Sequence, residues 1–163
     1  NVKDMDDAEM ERLSYCWFDP RPSVDAIEQA EFYIRIVDSV GGPGKWAILD
    51  TENTSKIPYT ASSIARARVW CDIVSQRWNV AIYSYPSFID QLALMADISW
   101  MRNYGWMVAH WDVNVPRDPY PWYPGAHQIW QFTAKMPGSR YGFNAIAPGK
   151  PTPKICLAIM EDT

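Results

Sequence analysis

Asp50 and Glu52 stand two residues apart at the end of an apolar run, Trp46-Ala47-Ile48-Leu49. Side chains two apart on a strand project from one face, so the carboxyls would emerge together, their Cα atoms roughly 6–7 Å apart. Carboxylates that close repel, and burial against aromatic rings raises the cost of ionising both. One is then pushed toward its neutral form beside an anion. Cleavage of a glycosidic bond asks for that combination: an acid for the leaving oxygen and an anion to support positive charge at the sugar. The same pair can also simply cap the turn that follows, and spacing alone does not separate the two uses. Nine Trp and nine Tyr, several beside Pro, Asn or Asp, add weight to the chemical one. Their faces stack on sugar rings while their polar tips bond hydroxyls.

Elements able to position these groups follow from periodicity. Strands are expected at 13–19, 45–52, 80–85, 106–111 and 127–133, with a last apolar segment at 155–160. Helices are expected over 25–40, 60–78 and 87–103, the third opened by a capping box of Ser87 and Asp90. A loop rich in Pro and aromatics fills 114–125. Regular alternation of strand and helix means parallel strands with helices outside. The fold class is therefore α/β, an incomplete or irregular (β/α) TIM-like barrel with a β-only C-terminal part. It forms a single domain over 1–163, with a core at about 13–142 and an irregular tail at 143–163. In such folds the site gathers at the carboxyl ends of the strands. Asp19, Asp50, Glu52, Tyr83, Tyr85, His110, Trp111, Trp130 and Gln131 all fall there.

Other chemistries find little support. The net charge is −4 and the pI about 5.1, with no run of Lys or Arg, which argues against nucleic acid as a partner. No stretch approaches the roughly 20 apolar residues of a membrane span, and no signal-peptide pattern is visible. Cys16, Cys71 and Cys156 are too few and too scattered for a disulfide framework or a zinc site, and read as free thiols. His110 and His127 lack partners at metal-ligand spacing, so no metal is expected. Ser84 lacks the GxSxG elbow. No GxGxxG or Walker motif appears, so no nucleotide cofactor is expected. Asp19 and Asp112 read as ordinary solvated loop acids.

The order YCWFDPRPSVDAIEQAEFYI, WAILDTE, VAIYSYPSF, WMVAHWDVN and HQIWQFT resembles the family-25 glycoside hydrolases. These are the Chalaropsis-type lysozymes, or N-acetylmuramidases, of phage endolysins and secreted enzymes. The likeness spans about 13–142 and implies an irregular barrel of βα units followed by plain strands. It implies hydrolysis of the β-1,4 bond between N-acetylmuramic acid and N-acetylglucosamine in peptidoglycan. Glu52 matches the proton donor. Asp50 matches the partner that stabilises the substrate's own acetamido group as it attacks the anomeric carbon. Tyr83, Tyr85, Trp111, Trp130, His110 and Gln131 would line the glycan groove.

The pattern departs from the family at both ends. The usual first strand with its Asp-x-Ser motif, and a second strand, have no counterpart before 13. The last active-site Asp is replaced by Asn144 in GFNAIAPG. Three resolutions follow: a further chain or segment completes the barrel as a partner, the segment 155–160 folds back into one vacant slot, or the domain is a degenerate descendant embedded in a larger assembly. Two functions stay open. One is a muramidase acting outside the cell or from a phage particle. The other is a catalytically weak or inactive wall-binding or structural module of a phage particle that uses the same aromatic groove.

Overall fold

A computed structural model describes residues 13–53, 57–137 and 154–160; for 134–137 and 154–160 it describes the backbone alone. Strand β1 is Leu13–Trp17, followed by helix α1 at Ala26–Ser39. Then come β2 at Trp46–Asp50, α2 at Ala61–Val74 and β3 at Val80–Ser84. Helix α3 at Pro86–Met95 leads through a 3-10 turn at Ser99–Asn103 to β4 at Gly105–Ala109. Strands β5 at Ile129–Pro137 and β6 at Lys154–Met160 close the series.

The six strands form one sheet in chain order, parallel from β1 to β5, with β6 antiparallel to β5. Short βα connections put each helix on one face of the sheet, as parallel pairing requires. The period of two then sorts the side chains. Ala47, Leu49, Val80, Ile82, Trp106 and Val108 pack outward against α1, α2 and α3 in the larger core. Ile48, Ala81, Tyr83, Met107, Ala109 and Ile129 form a smaller apolar cluster on the inner face. Because both faces are covered, β2 to β4 read as continuous apolar runs.

The expected α/β fold, a half-barrel of parallel strands with outer helices and a β-only end, is what is found. The segment 155–160 does join the sheet, against β5. Residues 138–153, with Asn144, lie outside the described residues. Two helices differ from expectation: α2 stops at Val74 rather than 78, and α3 differs at both ends. Tyr85, not Ser87, is the N-cap of α3, with no side-chain cap bond, and Pro86 occupies the first turn, where a fixed φ and a missing N–H cost nothing. Asp90 is thereby released from the expected capping box. The helix also stops at Met95, and the Asp97 carboxylate accepts the Ser99 N–H at 2.8 Å to start the 3-10 turn.

The Pro-rich loop before β5 is tied down. Trp122 stacks on Trp106 at 4.4 Å between ring centroids, and its Nε1–H donates to Tyr104 O at 3.1 Å. Asp118 accepts the Gly125 and Ala126 N–H groups and faces His127 Nδ1. Gly105 lets this layer close. A Cβ there would lie 2.9 Å from the Trp46 ring, 3.0 Å from Gln128 Oε1 and 3.1 Å from Ala81 Cβ. Gln128 Oε1 is already bonded to Trp106 N–H at 2.6 Å. Gly105→Ala is expected to lower stability by about 1–3 kcal/mol through overpacking. Chemical denaturation checks this; an unchanged midpoint would contradict the close approach.

Candidate active site

The register of β1 to β5 sets Trp17, Asp50, Tyr83, Met107 and Ile129 side by side in one row. Asp50 is half-buried there, and its Oδ1 has no hydrogen-bond partner among the described residues. Burial, and then the charge of Glu52, push the Asp50 carboxyl up to about 7. Beyond the strand, Thr51 continues the pairing. Its N–H and Oγ1–H donate to Tyr83 O at 2.9 and 3.0 Å, while Ser84 Oγ–H donates to Thr51 O at 2.6 Å. Thr51 is buried, which leaves Glu52 to emerge on the Asp50 side. Glu52 lines a cavity of about 480 Å³ together with Tyr85, Ala109, His110, Trp111, Asp112 and Arg117.

The other residues singled out from the sequence divide by face. Tyr83 is buried on the inner face, and its hydroxyl donates to Gln131 Oε1 at 3.0 Å. The same oxygen accepts Trp111 Nε1–H at 3.1 Å, so Gln131 joins two aromatic walls. Burial and the charges of Glu52 and Asp50 push the Tyr83 phenol up, and it lies within hydrogen-bonding reach of Glu52. The Tyr85 phenol is raised by burial and by Glu52, and it accepts the Asn53 backbone N–H, tying the loop after Glu52 to the cavity wall. Trp130, expected in the groove, stands on the opposite face. Ile129 and Gln131 take the inner positions, so Trp130 packs against the outer core and donates Nε1–H to His110 O at 2.8 Å. It supports the site from behind.

The loop acids also differ from expectation. Asp19 is buried and paired with Arg21, with Nε at 3.0 Å from both carboxylate oxygens. The hydrogen bonds from Arg21 hold its carboxyl below the usual range. Asp112 is exposed, yet it lines the cavity with a left-handed φ of 59°. Two neighbours of the site escaped sequence reading. Arg117 sits in the non-periodic loop, where no pattern marks it. Tyr59 follows Pro58 in the loop after Glu52; its buried hydroxyl has no partner among the described residues. Burial raises the Tyr59 phenol most, and the charges of Asp50 and Glu52 add to it. Cys16 and Cys71 carry free thiols. Among the described residues no three His, Cys, Asp or Glu cluster as a metal site would require, and no helix is long and apolar enough to cross a membrane.

Glu52 thus lines an aromatic-walled cavity two residues past Asp50, which ends β2. The model of the glycosyl hydrolases family 25 matches residues 1–139. This chain belongs to that family. No curated protein sequence matches it. Among solved structures it is similar to the CTP1L endolysin, at 17% identity and a TM-score of 0.66 over 99% of this chain and 51% of that one. It is similar to the Clostridium perfringens spore cortex lytic enzyme SleM, at 17% identity and a TM-score of 0.61 over 98% and 52%. The catalytic domain of endolysin ply40, from bacteriophage P40 of Listeria monocytogenes, matches at 19% identity and a TM-score of 0.58 over 95% and 70%. The chain thus spans about half the length of the first two.

The raised Asp50 carboxyl has a consequence for stability. Its folded value of about 7 exceeds the unfolded value of about 4, so the folded chain binds the extra proton between those limits. The contribution of Asp50 to stability is then most favourable below about pH 4 and falls as pH rises to about 7. Asp50→Asn removes the loss, and is expected to raise stability at pH 8 by on the order of 2–4 kcal/mol while changing little at pH 4. Thermal melts at the two pH values check it. An equal effect at both would contradict the assignment.

Proposed function

We propose that this chain is a lysozyme-like hydrolase of bacterial peptidoglycan. It would cleave the β-1,4 bond between N-acetylmuramic acid and N-acetylglucosamine, at the cell wall, from outside the cell or from a phage particle. The observation that carries the reading is Glu52 facing the cavity with the raised carboxyl of Asp50 beside it. The family and the lytic enzymes among the similar structures support the same class of substrate.

In the proposed reaction Glu52 gives its proton to the glycosidic oxygen as the bond from that oxygen to C1 breaks. The acetamido carbonyl oxygen of the same sugar forms the new bond to C1, the substrate-assisted route. Asp50 accepts the acetamido N–H and steadies the positive charge that develops there. The free chain holds a proton on Asp50 below about pH 7. An N–H donated to Asp50 favours its anion, so bound substrate moves the pair's shared proton toward Glu52. Tyr85, Trp111 and His110 would contact the glycan, while Tyr83 and Gln131 brace the walls.

The reading also gives a pH profile. The pair must keep its one proton for Glu52 to deliver, so the rate under subsaturating substrate should fall as pH passes upward through about 7 and that proton is lost. Glu52→Gln should cost about 10²–10⁴-fold in released reducing ends, with wall binding kept. If wild type and Glu52→Gln both bind walls and neither releases sugar, the wall-binding module is the correct reading.

A partner belongs to the same proposal. Among the described residues strand β1 ends the sheet, its Tyr15 and Trp17 are 45% and 41% exposed, and Phe32 and Ile36 are exposed on α1. Edge strands with apolar surroundings invite pairing, so further polypeptide should cover this flank in the working protein. Light scattering on the isolated chain should find self-association; a strict monomer at high concentration would contradict the cover.

A further inference from the structure

His110 is held from three sides. Its backbone N–H donates to Gln131 O at 3.2 Å, and its carbonyl accepts Trp130 Nε1–H at 2.8 Å. Its ring Nδ1 accepts the backbone N–H of Arg117 at 3.0 Å. A neutral imidazole has one N–H and one lone pair. With the Nδ1 lone pair used as an acceptor, the proton belongs on Nε2.

Arg117 is itself fixed at its far end. Its guanidinium forks onto Asp90 of α3, NH1 to Oδ1 at 3.2 Å and NH2 to Oδ2 at 2.6 Å. The Pro-rich loop is therefore clamped twice through one residue, by its main chain to the end of β4 and by its side chain to a helix. A bidentate charge-assisted contact of this kind fixes direction as well as distance. His110 and Arg117 both line the cavity that holds Glu52.

We propose that His110 is a binding residue that presents a fixed Nε2–H to an uncharged acceptor oxygen of a bound N-acetylated sugar, with Arg117 as the residue that positions it. The proposal rests on the glycan reading of the cavity and adds the polarity of one contact. A side chain left to rotate pays entropy on binding; one locked by its own second nitrogen does not. A fixed donor also discriminates, because a ligand lacking the acceptor leaves that N–H unmatched when it covers it. The Asp90 fork was invisible as a site feature while Asp90 was read as a helix cap. Once Pro86 opens α3, Asp90 is free to anchor the loop.

The test uses the whole chain labelled with ¹⁵N and long-range proton–nitrogen correlation spectra of the imidazoles. In the free wild-type chain His110 should carry its proton on Nε2 and a bare Nδ1. Chitotetraose, a soluble N-acetylated probe, should shift the Nε2 resonance. His110→Ala should weaken its binding about tenfold, the loss of one hydrogen bond. Arg117→Ala keeps the backbone donor but loses the fork, and should broaden the Nε2–H signal and weaken binding less. A proton on Nδ1 in the free wild type overturns the proposal without any variant. So does an unmoved Nε2 while Tyr85 and Trp111 signals respond, an outcome that leaves the glycan reading standing. If no cavity signal responds at millimolar probe, the glycan reading falls and the proposal with it.

Discussion

The constraint on which the rest depends is a carboxyl group, Asp50, held at a strand end with one oxygen unbonded among the described residues and another acid two residues on. Left to itself such a group would find water or a cation. Here the strand on each side offers Trp17 and Tyr83 in register, and neither supplies a positive charge. The result is a proton held near neutral pH, at the expense of stability. That exchange is familiar at reactive sites, where local rules are broken for function and the surrounding core makes good the loss.

The surrounding sheet explains how the group is kept there. Leu49, Ile82, Trp106 and Val108 anchor the strands to the helices on the outer side, so the alternate positions have no choice but to face inward. Thr51 and Ser84 then bond across to neighbouring main chain just past Asp50, which carries the strand direction on far enough to turn Glu52 into the cavity. The cavity's other wall comes from a loop with no regular structure. Its order rests on the Trp106–Trp122 stack, on Asp118, and on the Arg117–Asp90 fork. One wall is thus set by sheet geometry and the other by side-chain clamps.

Much of this was legible in the residues. WAILD, VAIYS and WMVA are short apolar runs between helical patterns, and their period of two is enough to put Asp50 and Glu52 on one side. Trp130 was legible too, had that period been applied strictly: adjacent residues on one strand cannot share a face, so Trp130 and Gln131 could not both enter the groove. Ser87 looked like a cap, but Pro86 before it outranked it. Which acid is raised depends on burial, and spacing carries no information on burial. Arg117 and Tyr59 sit in loops, where contacts are made by residues far apart in the chain and leave no periodic trace.

The central claim is most directly tested by following the side-chain carboxyl carbons through a pH titration by ¹³C nuclear magnetic resonance. Asp50 should titrate near 7 in the wild type. Its midpoint should move down when Glu52→Gln removes the neighbouring charge. An Asp50 midpoint near the ordinary carboxylate value of about 4, unmoved by that substitution, would contradict the coupled, half-buried pair on which the functional reading is built.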